Sequence, residues 1–546
     1  MNKPIIYQII PRLFANYNET RKHNGSKEEN GCGKLADIND KALKSISELG
    51  ATHVWYTGII RHATAERNNP AITKGKAGSP YAITDYYDVH PDLAKNESKR
   101  MQEWEALIER THKAGLGVLM DFVPNHVSRE YKSLCKPQGV EDLGEGDHPE
   151  WAFSPLNNFY YLPGERFSMD KDLQGYDEYP AKVTGNDCWN SHPSENDWYE
   201  TVKLNYGVFY QGGGEKQFDP IPSTWQKMLD ILLFWAGKKI DGVRVDMAEM
   251  VPVEFFAWAI AKVKKKYPKF LIIGECYEPS RYDAYIAAGF DYLYDKVGMY
   301  DYLRGVTSKN WPAEGITQQW MQHGDERLKH MLYFLENHDE QRIASGFFCG
   351  NGESAEPAMI VAATLNQCPV MIYMGQELGE RGMDMEGFSG IDGRTSIFDY
   401  WGVKSLQAWS NKGKYDGAKL NDEQRELRQF YQQLLTTART SRAIQKGAMY
   451  DITYAQGEGF NKHEQFAFIR HIGTETLLVV VNFHDREQQI KLRIPNDAFV
   501  YLNMEEKPKA TATDLLRGAK KEVRFVENEP IEITLQAWKG AILRIR

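Results

Sequence analysis

From the N-terminus to about residue 446, short apolar runs alternate with longer segments whose apolar side chains recur at helical spacing. Ile5–Ile10 and Thr52–Tyr56 read as buried strands. Between Ser98 and Ala114 the apolar positions are Met101, Trp104, Leu107, Ile108 and Ala114, a helical stripe with Ser98 placed to cap its start and Gly115 its end. The strand Gly117–Phe122 follows directly. Trp225, Met228, Leu229, Leu232, Leu233 and Trp235 form a second helical face that ends at Gly237, ahead of the strand Gly242–Val245. Phe255, Phe256, Ala259, Ile260 and Val263 share one face of a third helix, which Pro252 opens and Pro268 closes. Its last turn carries Lys264–Lys266, favourable at the negative end of the helix dipole. Phe270–Ile273, Met331–Leu335 and Val370–Tyr373 read as three more strands.

Repeated strand–helix–strand units imply a parallel sheet with right-handed crossovers. About eight such units over this length fit a closed (β/α)8 TIM barrel. Residues 127–222 interrupt the pattern with Gly, Pro, Asn, Asp and aromatic rings and no long periodic segment. A structureless loop of that length is improbable in a compact protein, so the sequence predicts an irregular domain inserted after strand three. From Gly447 the character changes again. Glu464–Arg470 and Thr476–Phe483 are joined by a Gly-containing turn, and Gln488–Ile494 and Ile531–Leu535 follow with β-branched and aromatic enrichment. The expected fold is α/β: barrel over 1–126 and 223–446, inserted domain over 127–222, and a C-terminal antiparallel β-sandwich over 447–546.

Composition sharpens this picture in three places. Sixty-six basic against seventy-five acidic residues give a net charge of -9, which argues against nucleic acid or an anionic membrane as partner. Aromatic residues make up 12% of the chain, which suits stacking on flat, uncharged ligands as well as core packing. Six cysteines without a C-x-x-C pair point to reduced thiols in a reducing compartment. The apolar run near the N-terminus is broken at Gln8 and followed by Pro11 and Arg12, as in a buried strand rather than a secretory signal. No stretch approaches the roughly 18 apolar residues of a spanning helix. The expected location is cytoplasmic.

In a barrel, polar residues at the C-terminal ends of strands face the active-site mouth. Those positions hold Asp121 with Asn125 and His126, Arg244 with Asp246, Glu275, and Asn337, His338 and Asp339. Each alone is an ordinary cap, ion pair or polar turn; four carboxylates delivered by four strands are not. Arg244 and Asp246 are two residues apart, so on a strand they share a face, and the guanidinium would hold Asp246 ionised. Glu275 follows the apolar Leu271–Gly274, and partial burial would raise its pKa toward that of an acid catalyst. Such a pair suits glycosidic-bond cleavage, with Asp339 binding sugar hydroxyls or adding negative charge and His126 and His338 donating hydrogen bonds. The competing reading is a two-metal hydrolase site, against which Arg244 stands, because it would repel a cation.

The motifs DFVPNH (121–126), GVRVD (242–246), IIGE (272–275) and ENHD (336–339), in this order, resemble the four sequence regions of the α-amylase family of glycoside hydrolases. Tyr81 with TDYY (84–87), KLNYG (203–207) and GRTSIFDYW (393–401) extend the likeness over nearly the whole chain. The resemblance implies Asp246 as nucleophile, Glu275 as general acid/base and Asp339 as transition-state stabiliser. It implies that Arg244 positions the nucleophile, that Asp121, His126 and His338 belong to the sugar-binding site, and that Tyr81 stacks on the sugar ring. Asn125 matches a residue that holds calcium in many relatives, so calcium is the one cofactor implied.

Two departures bear on specificity. Where many starch-cleaving relatives carry Lys-His after the nucleophile, this chain has Glu249 and Met250, so the lysine that contacts the leaving-side sugar is absent. Where exo-acting glucosidases have Gly-Tyr-Asp, it has Pro80-Tyr81-Ala82, without the carboxylate that clamps a terminal glucose. The expected activity is retaining cleavage of α-1,4 links in maltodextrins or starch, with an α-glucan as the partner. The nearest alternative is a transglycosylase or sugar isomerase using the same residues. A non-catalytic carbohydrate-binding or partner protein is a more distant one, since all three carboxylates are present.

Overall fold

The computed structural model describes residues 3–546. Eight parallel strands close a barrel: β1 (Ile5–Ile9), β2 (His53–Tyr56), β3 (Gly117–Phe122), β4 (Gly242–Val245), β5 (Leu271–Gly274), β6 (Tyr292–Tyr294), β7 (Met331–Phe334) and β8 (Val370–Tyr373). Each pairs with its sequence neighbours, and β8 returns to β1 with Val370 opposite Ile5. The strands read as near-continuous apolar runs because both faces are covered, one by helices and the other by the barrel interior.

The two-residue period of a strand then sorts side chains. Tyr7, Val54, Val118, Met120 and Ile272 pack outward against the helices. Ile6, Leu119, Ile273, Leu332 and Met371 fill the interior. One period beyond Ile6 and Leu119 come Gln8 and Asp121, so the interior turns polar toward the strands' C-terminal ends. Burial of the apolar residues beneath, at about 25 cal/mol per Å2, is what offsets placing charge there.

Two local expectations change. The helix expected from Ser98 begins at Arg100 and runs to Lys113; Ser98 lies in a preceding 3-10 turn and donates its amide to the Asn96 side chain. Gly115 follows that helix in the left-handed region, at φ +75°. Strand β6, only three residues long, carries too little periodicity to stand out in the sequence.

Between β3 and the helix Ser223–Gly237 the chain forms two- and three-residue strands and one 3-10 turn at Tyr210–Gly212. His126–Ser128 pairs antiparallel with Thr201–Lys203, which places Lys203 opposite His126. This segment has its own small core of Tyr160, Leu162, Phe167, Met169 and Val183, against which Phe153 and Trp189 pack.

The C-terminal strands are β9 (Ala448–Asp451), β10 (Gln465–Ile472), β11 (Glu475–Asn482), β12 (Gln488–Leu492), β13 (Lys507–Asp514), β14 (Lys520–Phe525), β15 (Ile531–Leu535) and β16 (Gly540–Ile545). Six make an antiparallel sheet in the order β9-β10-β11-β16-β13-β14, and β12 pairs with β15. Alternation again decides packing. Ala467, Ile469, Leu478 and Val480 face Ile490, Leu492, Ile531 and Leu535 in a second core. Phe466, Phe468, Val479 and Val481 join the barrel's core instead. The helix Glu356–Thr364 is buried along its whole length between the two. Among the described residues no helix is long and apolar enough to cross a membrane, and all six cysteines are free thiols.

Candidate active site

A cavity of about 870 Å3 opens at the C-terminal ends of the barrel strands. Tyr81, His126, Asp246, Glu275 and Asp339 line it, together with Trp198 and Tyr199 of the inserted segment and Met385, Phe388 and Phe398 of the chain after β8. Asp246 and Glu275 are the first residues after β4 and β5. Asp339, expected at a strand end, lies beyond the end of β7 on the loop that follows it, its amide bound to the Asn337 side chain at 2.9 Å.

Arg244 is the electrostatic centre of the site. It is 1% exposed, and its Nη1 donates to Asp246 Oδ1 at 2.6 Å. Nη2 lies 2.7 Å from Glu275 Oε2 in a charge contact too bent for a directed hydrogen bond, and Nη1 is 3.6 Å from Asp121 Oδ1. Sequence spacing assigns this guanidinium to Asp246; in the folded chain it is shared among three carboxylates. Trp55, Tyr81 and Tyr294 surround it at 5.4, 5.5 and 5.7 Å.

One arginine does not balance four acids, three of them buried and the fourth, Asp339, half-exposed at the cavity wall. Burial pushes the Asp246 carboxyl above the usual carboxylate range, with Arg244 opposing and Glu275 reinforcing the shift. The expectation that the guanidinium alone keeps Asp246 ionised is corrected, because desolvation outweighs it in the substrate-free site. Burial likewise pushes Asp339 up to about 7, reinforced by Glu275, and Asp121 up to about 6 against the pull of Arg244. Asp121, Asp246 and Asp339 therefore hold their protons more tightly than free carboxyls do.

The histidines are neutral hydrogen-bonding groups. Burial lowers His126 to about 3 and His338 well below its ordinary value. The Gln8 amide donates to His338 Nδ1 at 2.8 Å, which leaves the proton on Nε2. That nitrogen faces Tyr81 Oη at 2.5 Å and Asp339 Oδ2 at 3.1 Å. His338, expected to bind sugar, thus stands behind the cavity wall with the Tyr81 ring stacked on it at 5.3 Å. Asp121 and Arg244 lie behind the wall as well. Asp121 accepts from the Tyr81 hydroxyl at 3.4 Å, while its Oδ2 is buried without a partner. Tyr81 and His126 reach the cavity, and the His126 ring lies against Trp198 at 5.3 Å.

Asn125 sits one residue before His126, where the family resemblance implies calcium. Its Oδ1 accepts from Lys203 Nζ at 3.0 Å, and the same ammonium pairs with Asp187 at 2.8 Å. The Asn125 Nδ2 donates to the Gly185 carbonyl at 2.8 Å and approaches His126 Nδ1 at 3.1 Å. The oxygens that would face a metal already face a buried ammonium, so the residues present do not fit calcium, and that expectation is corrected. Among the described residues, the one acidic group compact enough for an ion is Asp85, Asp88 and Cys135, away from this cavity. Its carboxylates are engaged by Ser133, Leu134 and Cys135 and by Arg61 and Arg100.

Three participants are not evident from sequence. Gln8 shows there only as an interruption of an apolar run, although an inward polar residue in a buried strand is itself a signal. Tyr277 donates its hydroxyl to Glu275 Oε1 at 2.7 Å and lines the cavity. Lys203 opens the KLNYG motif (203–207), but its partner does not show in the sequence, because only the pairing with His126 brings it to Asn125.

The family model described as alpha amylase, catalytic domain, matches residues 8–468. Neopullulanase 2 of Thermoactinomyces vulgaris is 21% identical over 99% of this chain and 77% of its own. A maltogenic alpha-amylase of Thermotoga neapolitana superposes with a TM-score of 0.63 at 19% identity, over 99% of this chain and 98% of its own. A gamma-CGTase of an alkalophilic Bacillus clarkii gives a TM-score of 0.67 at 15% identity, over all of this chain and 71% of its own.

Proposed function

The chain belongs to the alpha-amylase family, and from that premise we propose that it is a retaining glycoside hydrolase cleaving α-1,4-glucosidic bonds in maltodextrins or starch. The observation that carries the reading is Arg244, whose two terminal nitrogens lie 2.6 Å from Asp246 and 2.7 Å from Glu275. A single planar guanidinium spanning both acids supports the close spacing of a retaining pair, about 5–5.5 Å, over the wider one that leaves room for water.

Asp246 attacks the anomeric carbon while Glu275 gives its proton to the leaving glycosidic oxygen; the carbon–oxygen bond breaks and a glycosyl ester forms on Asp246. Positive charge growing on the sugar favours the ionised form of Asp246 at the moment it is needed. Asp339 adds negative charge beside that centre, Tyr81 offers its ring to the sugar, and His126 offers a hydrogen bond. Water then donates its proton to Glu275 as its oxygen displaces Asp246. Asn125 serves by orienting His126 and not by holding a metal.

The cavity volume lies toward the upper end of ligand pockets and suits an oligosaccharide rather than one sugar ring. Pro80-Tyr81-Ala82 supports the same reading, since no carboxylate follows Tyr81 to clamp a chain end. Six free thiols fit a reducing compartment, and we place the protein in the cytoplasm. A timed product profile on maltoheptaose tests the function. A spread of shorter maltooligosaccharides is expected; longer or rearranged products would assign the same residues to a transferase or isomerase.

A further inference from the structure

The carboxylate of Glu275 is held asymmetrically. Oε2 accepts from the Met247 amide at 2.8 Å and lies 2.7 Å from Arg244 Nη2. Oε1 has one partner, the Tyr277 hydroxyl at 2.7 Å. Oε2 thus faces a cation and a backbone donor, which leaves Oε1 as the oxygen able to carry a proton. Tyr277 is half-buried at the cavity wall, and desolvation together with the nearby Glu275 and Asp339 carboxylates raises its phenol well above its ordinary value, so it keeps its proton and acts as a donor.

Tyr277 is itself fixed, and by a residue at which this chain departs from many starch-cleaving relatives. Glu249 Oε2 accepts from the amides of Tyr277 and Glu278, both at 2.9 Å, and lies 3.6 Å from Cys276 Sγ. Arg281 donates to the Glu249 carbonyl at 2.5 Å. The carboxylate that stands in the place of a lysine is turned away from the sugar path and fastens the segment after β5. The backbone of Met247, which binds Oε2 from the other side, is held in the left-handed region at φ 44°.

We propose that Tyr277, anchored by Glu249, is a positioning residue for the acid/base Glu275. Its hydroxyl holds Oε1 toward the scissile oxygen and donates to Oε1 once the carboxylate is ionised. The inference rests on the role proposed above for Glu275. In the first step the Oε1–H bond breaks as the proton passes to the leaving oxygen, and the Tyr277 hydroxyl then donates to the ionised Oε1. In the second step Oε1 takes a proton from water. The phenol gains and loses nothing over the cycle.

Tyr277→Phe removes only the hydroxyl, and its folding is checked by an unchanged Tm. On maltoheptaose kcat is expected to fall about tenfold. The alkaline limb of the kcat/KM profile should move up by roughly one pH unit, because the ionised carboxylate loses a donor. On α-maltosyl fluoride, whose leaving group needs no proton, the formation of the glycosyl-enzyme should change less than about twofold. Glu249→Ala should shift the same limb in the same direction. An unmoved limb, or equal losses on both substrates, would overturn the proposal. Glu275→Gln separates the two levels of inference. If it keeps hydrolysing maltoheptaose, the acid/base assignment itself fails; if it loses that activity while Tyr277→Phe leaves the limb in place, only the role of Tyr277 fails.

Discussion

Two arginines in this protein are equally hidden from water, and they are treated in opposite ways. Arg470, on β10 at the seam between barrel and C-terminal sheets, donates to four carbonyls: Ala443, Leu365, Ile444 and Gly447, at 2.8–3.1 Å. Arg244, at the mouth, has one directed hydrogen bond; its Nε is orphaned, and its Nη2 lies against Glu275 without a good angle. Around Arg470 no carboxylate answers the charge, and burial lowers its pKa to about 10. Around Arg244, Glu275 and Asp246 hold the guanidinium charged well beyond its ordinary range. A structural charge is saturated by fixed dipoles. A functional one is left among other charges, with valences for a reaction to use.

Breaking each arginine should therefore break different things. Arg244→Met is expected to lower maltoheptaose hydrolysis by about 10³-fold or more, since positioning and charge balance go together. Its stability loss should also depend on pH. Asp121 and Asp339 have folded-state pKa values raised to about 6 and about 7, so the cost of burying their charge accrues as pH climbs from the ordinary carboxyl range, about 4, to those values. Without the guanidinium that cost grows, so Tm should fall more at pH 8 than at pH 5. Arg470→Met instead takes the side-chain donor from the Leu365 and Ile444 carbonyls, while those of Ala443 and Gly447 keep the Gly447 amide and the Gln367 side chain, a loss on the order of 3 kcal/mol. Its Tm should drop equally at both pH values while kcat below Tm stays unchanged. A pH-dependent loss in Arg470→Met, or a pH-independent one in Arg244→Met, would collapse the distinction.

A smaller effect sharpens it at a third buried cation. Lys203 Nζ lies between Asn125 and Asp187, tying the inserted segment to the strand that carries His126. Wild-type Tm is expected to be the same in chelator and in millimolar calcium. Lys203→Met should lose roughly tenfold in kcat/KM through His126, together with a few degrees of Tm. A wild-type Tm that falls in chelator would contradict the assignment of that place to the ammonium.

The legible parts of this molecule are those fixed by local periodicity. Leu119 to Asp121 and Arg244 to Asp246 are two-residue steps on a strand, so the inward direction of the acids can be read directly. Gln8 obeys the same rule but does not stand out, because a lone polar residue in an apolar run is also common near the end of a strand. What stays hidden depends on contacts across the chain. Strand β6 is three residues long and owes its place to its neighbours on either side. The pairing of Lys203 with Asn125 spans 78 positions and replaces the calcium that Asn125 alone suggests. The pKa of Asp246 does not follow from Arg244 alone, since the competing influence is burial among acids delivered by other strands.

The central claim is that Asp246 is the nucleophile, and trapping tests it most directly. Glu275→Gln incubated with α-maltosyl fluoride should form a glycosyl-enzyme that it cannot readily hydrolyse, and peptide mass mapping should place one maltosyl group on Asp246. An adduct on Asp121 or Asp339, or none while the fluoride is consumed, would contradict the account.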